Sequence, residues 1–237
     1  KMLAIIPAKK KSKRLPNKNI KKINGKPLIA YTIEAAKKSK KISRIVVSTD
    51  CPRIASISKK YGAEVPFIRP RKFSSDKADN HEGVIDVCIH VINFLKDKEG
   101  INIRSFIVLQ PTSPLKLSKD IDSAVSIFKR KKADSVSSFC EAKPKDWYFN
   151  LNKDGSLKQS IKKNIKKNKK NKSNYLLNGA IFIYKTNFVK KRFGFTRKCF
   201  AYLMPKNRSV DIDVIDDFKY AEYLISKKHK KLWKIQK

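Results

Sequence analysis

The chain has 237 residues, enough to bury one sizeable core, and hydrophobic residues make up 41% of it. With 57 Lys+Arg against 20 Asp+Glu the formal charge is +37, while 10% aromatic content excludes a disordered polycation. The excess is nearly all lysine, with only 10 arginines, and it is spread from Lys1 to Lys237, so it lacks the clustered footprint of a nucleic-acid reader and no specific nucleic-acid partner is expected.

The first predicted element is the apolar run "MLAIIP", a strand buried on both faces. A lysine-rich loop follows, after which Pro27 is predicted to open a helix through "PLIAYTIEAAKK". "RIVVSTD" reads as a second strand, "RIASISKKYG" as a helix closed by Gly62, and "AEVPF" as a short edge strand. Residues 84–95 carry the clearest helical period, with Val84, Val87, Cys88, Val91, Ile92 and Leu95 on one face. "SFIVLQ" reads as a third buried strand, "DIDSAVSIFKR" as a helix and "SVSSF" as a fourth strand. Strands alternating in this way with helices predict an α/β domain with a mostly parallel sheet.

Near residue 140 the pattern changes. "WYFNLNKDGSLKQ" alternates around Asp154-Gly155, a hairpin turn signal, and residues 162–174 form a lysine-rich low-complexity run that reads as a solvated loop. "NGAIFIY" returns to strand, "CFAYLM" and "SVDID" are apolar runs, and "IDDFKYAEYLI" is the last helix. No apolar run approaches the ~20 residues of a membrane span, and "MLAIIPA" is too short for a signal-peptide core. A cytoplasmic chain without membrane insertion is therefore expected. Cys51, Cys88, Cys140 and Cys199 stand far apart, and His81, His90 and His229 share no ligand spacing, which predicts free thiols in a reducing compartment.

Three stretches carry chemistry. The loop after the first strand sets Lys9, Lys10, Lys11, Lys13, Arg14 and Lys18 around Ser12 and Asn19, at the sheet edge where α/β proteins bind ligands. No glycine precedes Gly25, so neither common glycine-rich phosphate motif is present. Such a loop neutralises a polyphosphate through ammonium and backbone N–H groups, or else is a plain solvated charge run. In "SVDID", Asp211 and Asp213 stand two apart on a predicted strand and face the same side. Two hard oxygen ligands there suit Mg²⁺, the alternative being two exposed carboxylates answering nearby lysines. In "LQPTSPLK", two prolines stiffen a loop that presents Gln110, Thr112 and Ser113, either to a ligand or as a well-capped turn.

Seven ordered blocks, "IIPAKKKSKRLPNKNI", "GKPLIAYTIEAA", "IVVSTD", "GAEVPFIRP", "LQPTSPLK", "NGAIFIY" and "RSVDID", together resemble the acylneuraminate cytidylyltransferases, the CMP-sialic-acid synthetases, over residues 3 to 226. The resemblance implies a three-layer nucleotidyltransferase fold with a nucleotide-binding core (1–140), a hairpin-containing dimerisation and sugar-side region (141–200) whose aromatics Trp147, Tyr148 and Phe149 suit an interface, and a return to the core (201–237). It implies a homodimer that joins CTP to the anomeric hydroxyl of a nine-carbon 2-keto sugar acid and releases pyrophosphate. By the same resemblance Lys9, Ser12, Lys13, Lys18, Asn19, Ser75 and Asp76 bind the nucleotide. Gln110, Thr112, Ser113, Lys145 and Asn178 lie on the sugar side, and Asp211 and Asp213 hold Mg²⁺. Lys18, Gln110, Asp211 and Asp213 are the implied catalytic group.

Two departures stand out. The family's usual A-R-G-G-S-K loop is here Ala8-Lys9-Lys10-Lys11-Ser12-Lys13, and Leu176 stands where several relatives carry an arginine. Kdo, legionaminic or pseudaminic acid are alternative substrates for the same chemistry. A lysine-rich nucleic-acid-binding protein is the alternative from another class.

Overall fold

A computed structural model describes residues 1–12, 14–74, 81–144, 152–153, 156, 174–191 and 196–226 of the chain. Six strands form the central sheet in the order β4-β1-β5-β7-β6-β8. These are β1 (Met2–Pro7), β4 (Ile42–Ser48), β5 (Ser105–Leu109), β6 (Ser135–Ala142), β7 (Asn174–Lys185) and β8 (Cys199–Leu203). β1 runs parallel to β4 and β5, and β6 parallel to β8, whereas β7 is antiparallel to both of its neighbours. A separate two-residue ribbon joins β2 (Lys22–Ile23) to β3 (Lys26–Pro27).

Side chains leave a strand alternately to opposite faces, and the central strands use both faces for core. Ala4 and Ile6 of β1, Val47 of β4, Ile107 of β5 and Ile183 of β7 pack on one side, against α1 (Leu28–Lys37), α2 (Pro52–Lys60) and α4 (Ser118–Arg130). Leu3, Ile5, Val46, Phe106, Val108 and Tyr184 pack on the other, against α3 (His81–Glu99) and α5 (Thr186–Lys190). The uninterrupted apolar runs of the strands have this cause: both faces are covered. A third cluster joins Leu15, Ile23, Leu28 and Ile212 to Phe218 and Ala221 of α6 (Ile215–Ile225).

Several boundaries differ from the sequence reading. Pro27 caps α1 from β3 instead of opening its first turn, while Pro52 occupies that first-turn position in α2. "AEVPF" makes only one isolated bridge, Glu64 to Val46 of β4, and a second, Ile68 to Thr49, follows just beyond it, so no continuous ladder forms. "SVDID" joins no ladder and forms no strand. Gly62 closes α2 at φ 93° as expected. The hairpin around Asp154-Gly155, the aromatics at 147–149 and the bulk of the 162–174 run lie outside the described residues.

The β6–β7 register slips between Ser137 and Phe139, where β7 bulges through Asn178-Gly179-Ala180. Ser138 holds the bulge from the opposite strand. Its hydroxyl donates to the Asn178 side-chain oxygen (2.6 Å) and accepts from Ile181 N–H (2.8 Å). Asn178 Oδ1 also accepts the Ala180 N–H, so this buried side-chain oxygen is spent on the shape of the bulge.

A buried ion pair ties the far side of this sheet edge together. Asp120, with no exposed surface, accepts from Arg208 Nη2 (2.6 Å) and Nε (3.2 Å), from Tyr202 Oη (2.8 Å), and from Leu117 N–H at the start of α4 (2.8 Å). Arg208 lies in the turn that leads into the Asp211–Asp213 segment. Removing one partner of such a pair strands the other charge in the interior. Arg208→Met is therefore expected to cost about 3–5 kcal/mol, read as a lowered urea midpoint with an unchanged slope.

Candidate active site

Three chain segments converge beyond the carboxyl ends of β1 and β5 to wall a cleft of about 530 Å³. The first is the basic loop. Ala8 N–H donates to the Ser48 carbonyl (2.9 Å), which extends the β1–β4 pairing one residue past the strand. Lys10 N–H then donates to Asp50 Oδ1 (2.7 Å), and the Asn19 side-chain amide donates to the Lys9 carbonyl (2.9 Å), closing the loop on itself. Outside glycine, the described residues with positive φ are Asn17, Asn24 and Lys132. Lys10 and Lys11, which stand where the resemblance leads one to expect two glycines, therefore carry no left-handed strain.

The second wall is the segment at 211–213. Ile212 is fully buried; its N–H donates to the Thr112 carbonyl (2.8 Å) and its own carbonyl accepts Lys18 Nζ (2.6 Å). Asp211 and Asp213, on either side of it, both line the cleft. The two-residue alternation that the sequence implies thus holds without a sheet ladder. Asp213 receives Lys18 (3.4 Å) on one oxygen and Arg14 (3.1 Å) on the other. Crowding in the cleft desolvates the Asp211 carboxyl, although the residue still meets solvent, and moves its pKa above the usual aspartate range; the charge of Asp213 adds to that. A hydrogen bond from Thr112 and the charges of Lys18 and Lys116 act in the opposite direction.

The third wall is the loop after β5, from which Gln110 and Thr112 reach the cleft. Gly179 of the β7 bulge stands behind them at φ 72°, and a Cβ there would lie 3.1 Å from Asp211 Oδ2 and 3.5 Å from Gln110 Oε1. Only glycine allows that approach in that conformation. On the opposite side Arg69 is buried, with its N–H on the Thr49 carbonyl (2.7 Å) and its Nε on Ser74 Oγ (3.2 Å).

Of the residues expected at a site, Lys9, Ser12, Lys18, Asn19, Gln110, Thr112, Asp211 and Asp213 line this one cleft. Ser113 and Asn178 do not. Both are buried behind the wall, where Asn178 donates to Ser209 Oγ (2.9 Å) and Ser113 Oγ lies 3.5 Å from the Asn178 carbonyl. Lys13, Ser75, Asp76 and Lys145 lie outside the described residues. Lys11 and Arg14, named among the loop cations, also line the cleft, whereas Arg69 and Gly179 were not singled out from the sequence. The signal for Arg69 was available, since arginine is scarce here and "FIRP" spends one beside two turn-forming prolines.

Lys9, Lys11, Arg14, Lys18 and Arg69 against two carboxylates make the cleft an anion site with an acidic corner. Among the described residues no group of three or more His, Cys, Asp or Glu side chains could hold a metal. Asp211 and Asp213 offer two hard oxygen donors, a set that fits a cation retaining water and phosphate ligands.

The family described as cytidylyltransferase matches residues 3–236. The chain is 36% identical over 233 residues to N-acylneuraminate cytidylyltransferase of Escherichia coli O18:K1:H7; the match takes in 97% of this chain and 53% of that protein, so the chain spans about half of this relative. It is 35% identical over 229 residues to CMP-N,N'-diacetyllegionaminic acid synthase of Legionella pneumophila, covering 94% and 96% of the two chains. It is 31% identical over 233 residues to pseudaminic acid cytidylyltransferase of Campylobacter jejuni, covering 97% and 98%. A solved structure of CMP:2-keto-3-deoxy-manno-octonic acid synthetase complexed with CTP shares the fold, with a TM-score of 0.68 at 16% identity over 95% of this chain and 98% of that one.

The raised Asp211 pKa has a consequence for stability. A carboxyl that binds its proton more tightly when folded favours the folded state in acid, and that contribution fades as pH rises above the ordinary aspartate range. In metal-free protein, Asp211→Asn is expected to raise the thermal midpoint at pH 7 only slightly, because solvent screens this exposed residue, with a gain that shrinks as the pH is lowered towards 4. A variant less stable than wild type at pH 7 would contradict this.

Proposed function

This chain belongs to the cytidylyltransferase family, and we propose that it transfers CMP from CTP to the anomeric hydroxyl of a nonulosonic, sialic-acid-like sugar acid, releasing pyrophosphate. The observation that carries this reading is the meeting, in one cleft, of the cationic loop, the Asp211–Asp213 pair and the Gln110–Thr112 wall. Relatives named for sialic, legionaminic and pseudaminic acids support the substrate class.

In this reading Lys9, Arg14, Lys18 and Arg69 neutralise the triphosphate, aided by loop backbone N–H groups. Lys18 is the most constrained of the cations that meet the acidic corner, with 12% of its side chain exposed, and its ammonium stabilises charge that develops as the bond to the leaving pyrophosphate lengthens. Gln110 and Thr112 hydrogen-bond the sugar acid and hold its anomeric hydroxyl in line with that bond. Asp211, with its raised proton affinity, accepts the hydroxyl proton. Asp211 and Asp213 are the residues that would hold Mg²⁺, which when bound would neutralise charge on the α-phosphate and the pyrophosphate. Free thiols at Cys51, Cys88, Cys140 and Cys199, and a CTP substrate, fit a cytoplasmic enzyme. No helix among the described residues is long and apolar enough to cross a membrane.

The same reading includes a homodimer. Beyond the bulge, Tyr175, Leu176 and Leu177 of β7 and Leu203 of β8 are 50%, 59%, 45% and 52% exposed. Leu177, Phe139 and Leu203 are register partners across three strands, so the surface is continuous. An apolar stretch of this kind marks an interaction surface, and a second copy of the chain is the occupant the family resemblance implies.

The deciding assay is pyrophosphate release with each nucleoside triphosphate, Mg²⁺ and a panel of sialic, legionaminic, pseudaminic and Kdo acids. Release is expected with CTP and a nonulosonic acid, and silence from folded protein across the panel would overturn the proposal. Asp213→Asn is expected to lower kcat by about 100-fold or more. Sedimentation should give a dimer that Leu176→Asp converts to monomer.

A further inference from the structure

Among the described residues Lys116 is the largest charged side chain with less than 2% of its surface exposed, and it lies outside the cleft lining. Its ammonium donates to three oxygens: the Ser113 carbonyl (2.6 Å), the Gln110 carbonyl (2.7 Å) and Thr32 Oγ1 on α1 (2.9 Å). An ammonium has three protons, so each finds one acceptor. Two of the acceptors bracket the loop 110–113, and the third anchors it to the helix packed beneath. Gln110 takes no part in the β5–β7 ladder, which ends at Leu109. Its carbonyl instead meets Lys116 and, more distantly, Thr32 Oγ1 (3.4 Å).

A residue needed only to fill this space would be apolar, because burying a cation is costly unless every proton is matched. Burial pushes the Lys116 pKa down to about 7, with Asp211 and Asp120 opposing. The gain that offsets this cost is geometric. Gln110 and Thr112 project from a loop with no sheet partner, and the direction of each side chain follows from backbone torsions that the two carbonyl contacts hold. Thr112 in turn hydrogen-bonds Asp211 and accepts Ile212 N–H, so the loop position reaches the acidic corner as well.

We infer that Lys116 is a positioning residue for the acceptor side of the cleft: by clamping the Gln110 and Ser113 carbonyls to Thr32 it sets where Gln110 and Thr112 meet the sugar acid. This rests on the proposed cytidylyl transfer for its kinetic readout, but not for its structural one. Lys116→Met keeps the length of the side chain and removes all three donors. Lys116→Arg keeps a charged donor group.

Two measurements are made on each variant and on wild type: kinetic constants for CTP and for the acid separately, and hydrogen exchange of the peptide spanning 105–117. For Lys116→Met, kcat/KM for the acid is expected to fall about 10- to 100-fold, as when a supporting hydrogen-bond partner is lost. CTP affinity by calorimetry should stay within about twofold, since the cationic loop is untouched. Exchange in the 105–117 peptide should rise, and Lys116→Arg should recover part of both changes. A fall in CTP and acid parameters alike, tracking loss of thermal stability, would mean a general structural role and overturn the inference. Unchanged acid kinetics with unchanged exchange would overturn it too. Should Lys116→Met not fold, Lys116→Gln, which retains one donor amide, carries the same comparison. If wild type turns over no acid at all, the functional proposal fails, while the exchange comparison still decides whether Lys116 holds the loop.

Discussion

Ile212 is where the cleft is tied together. Its N–H bonds the Thr112 carbonyl, its carbonyl takes the Lys18 ammonium, and its side chain is buried with Leu15, Leu28 and Phe218. One residue thereby links the loop after β1, the loop after β5 and the segment before α6, which are distant in sequence. Because Ile212 points inward, the residues flanking it must point outward, and both of them are aspartates. The acidic corner is thus a by-product of anchoring: an apolar side chain drives the segment into the core, and the alternation of extended backbone delivers two carboxylates to the cleft.

That anchoring also separates the cleft's charges from the chain's diffuse excess. Most lysines here are exposed, where water and salt screen them to little energetic effect. Lys18 and Arg69 are held against carbonyls and hydroxyls in a partly desolvated setting, where the same unit charge interacts far more strongly. Arg14 remains well exposed and its pairing with Asp213 is correspondingly weak, so it is free to exchange partners when an anion enters. What makes the cleft an anion site is burial and direction more than the number of cations.

The supporting shell is polar where the site needs a fixed backbone and apolar elsewhere. Ser138 and the Asn178 side-chain oxygen shape the β7 bulge, which brings Gly179 against Asp211 and Gln110. Asp120 and Arg208 pair behind the turn that feeds the 211–213 segment. Lys116 clamps the loop in front of it. Each group is buried and satisfied, and each acts on the geometry of a cleft residue through the backbone. Asn178 and Ser113, expected on the sugar side, belong to this shell instead.

Much of this was legible in the sequence. Continuous apolar runs identified the strands of a doubly covered sheet, because burial on both faces leaves no polar alternation to read. The period of residues 84–95 identified α3, and the order of motif blocks identified the family and the segments that build the cleft. Other features were set only by tertiary structure. The antiparallel insertion of β7 depends on how a distant strand docks, which no local pattern encodes. The "SVDID" segment is held through the contacts of Ile212 with Thr112 and the Leu15 cluster, and not through a ladder. Lys116 reads in sequence as one more lysine among many. Its burial under Gln110 and Ser113, like the inward turn of Asn178, arises from packing between segments far apart in the chain, and hydrophobic periodicity carries no information about a polar side chain that finds all its partners inside.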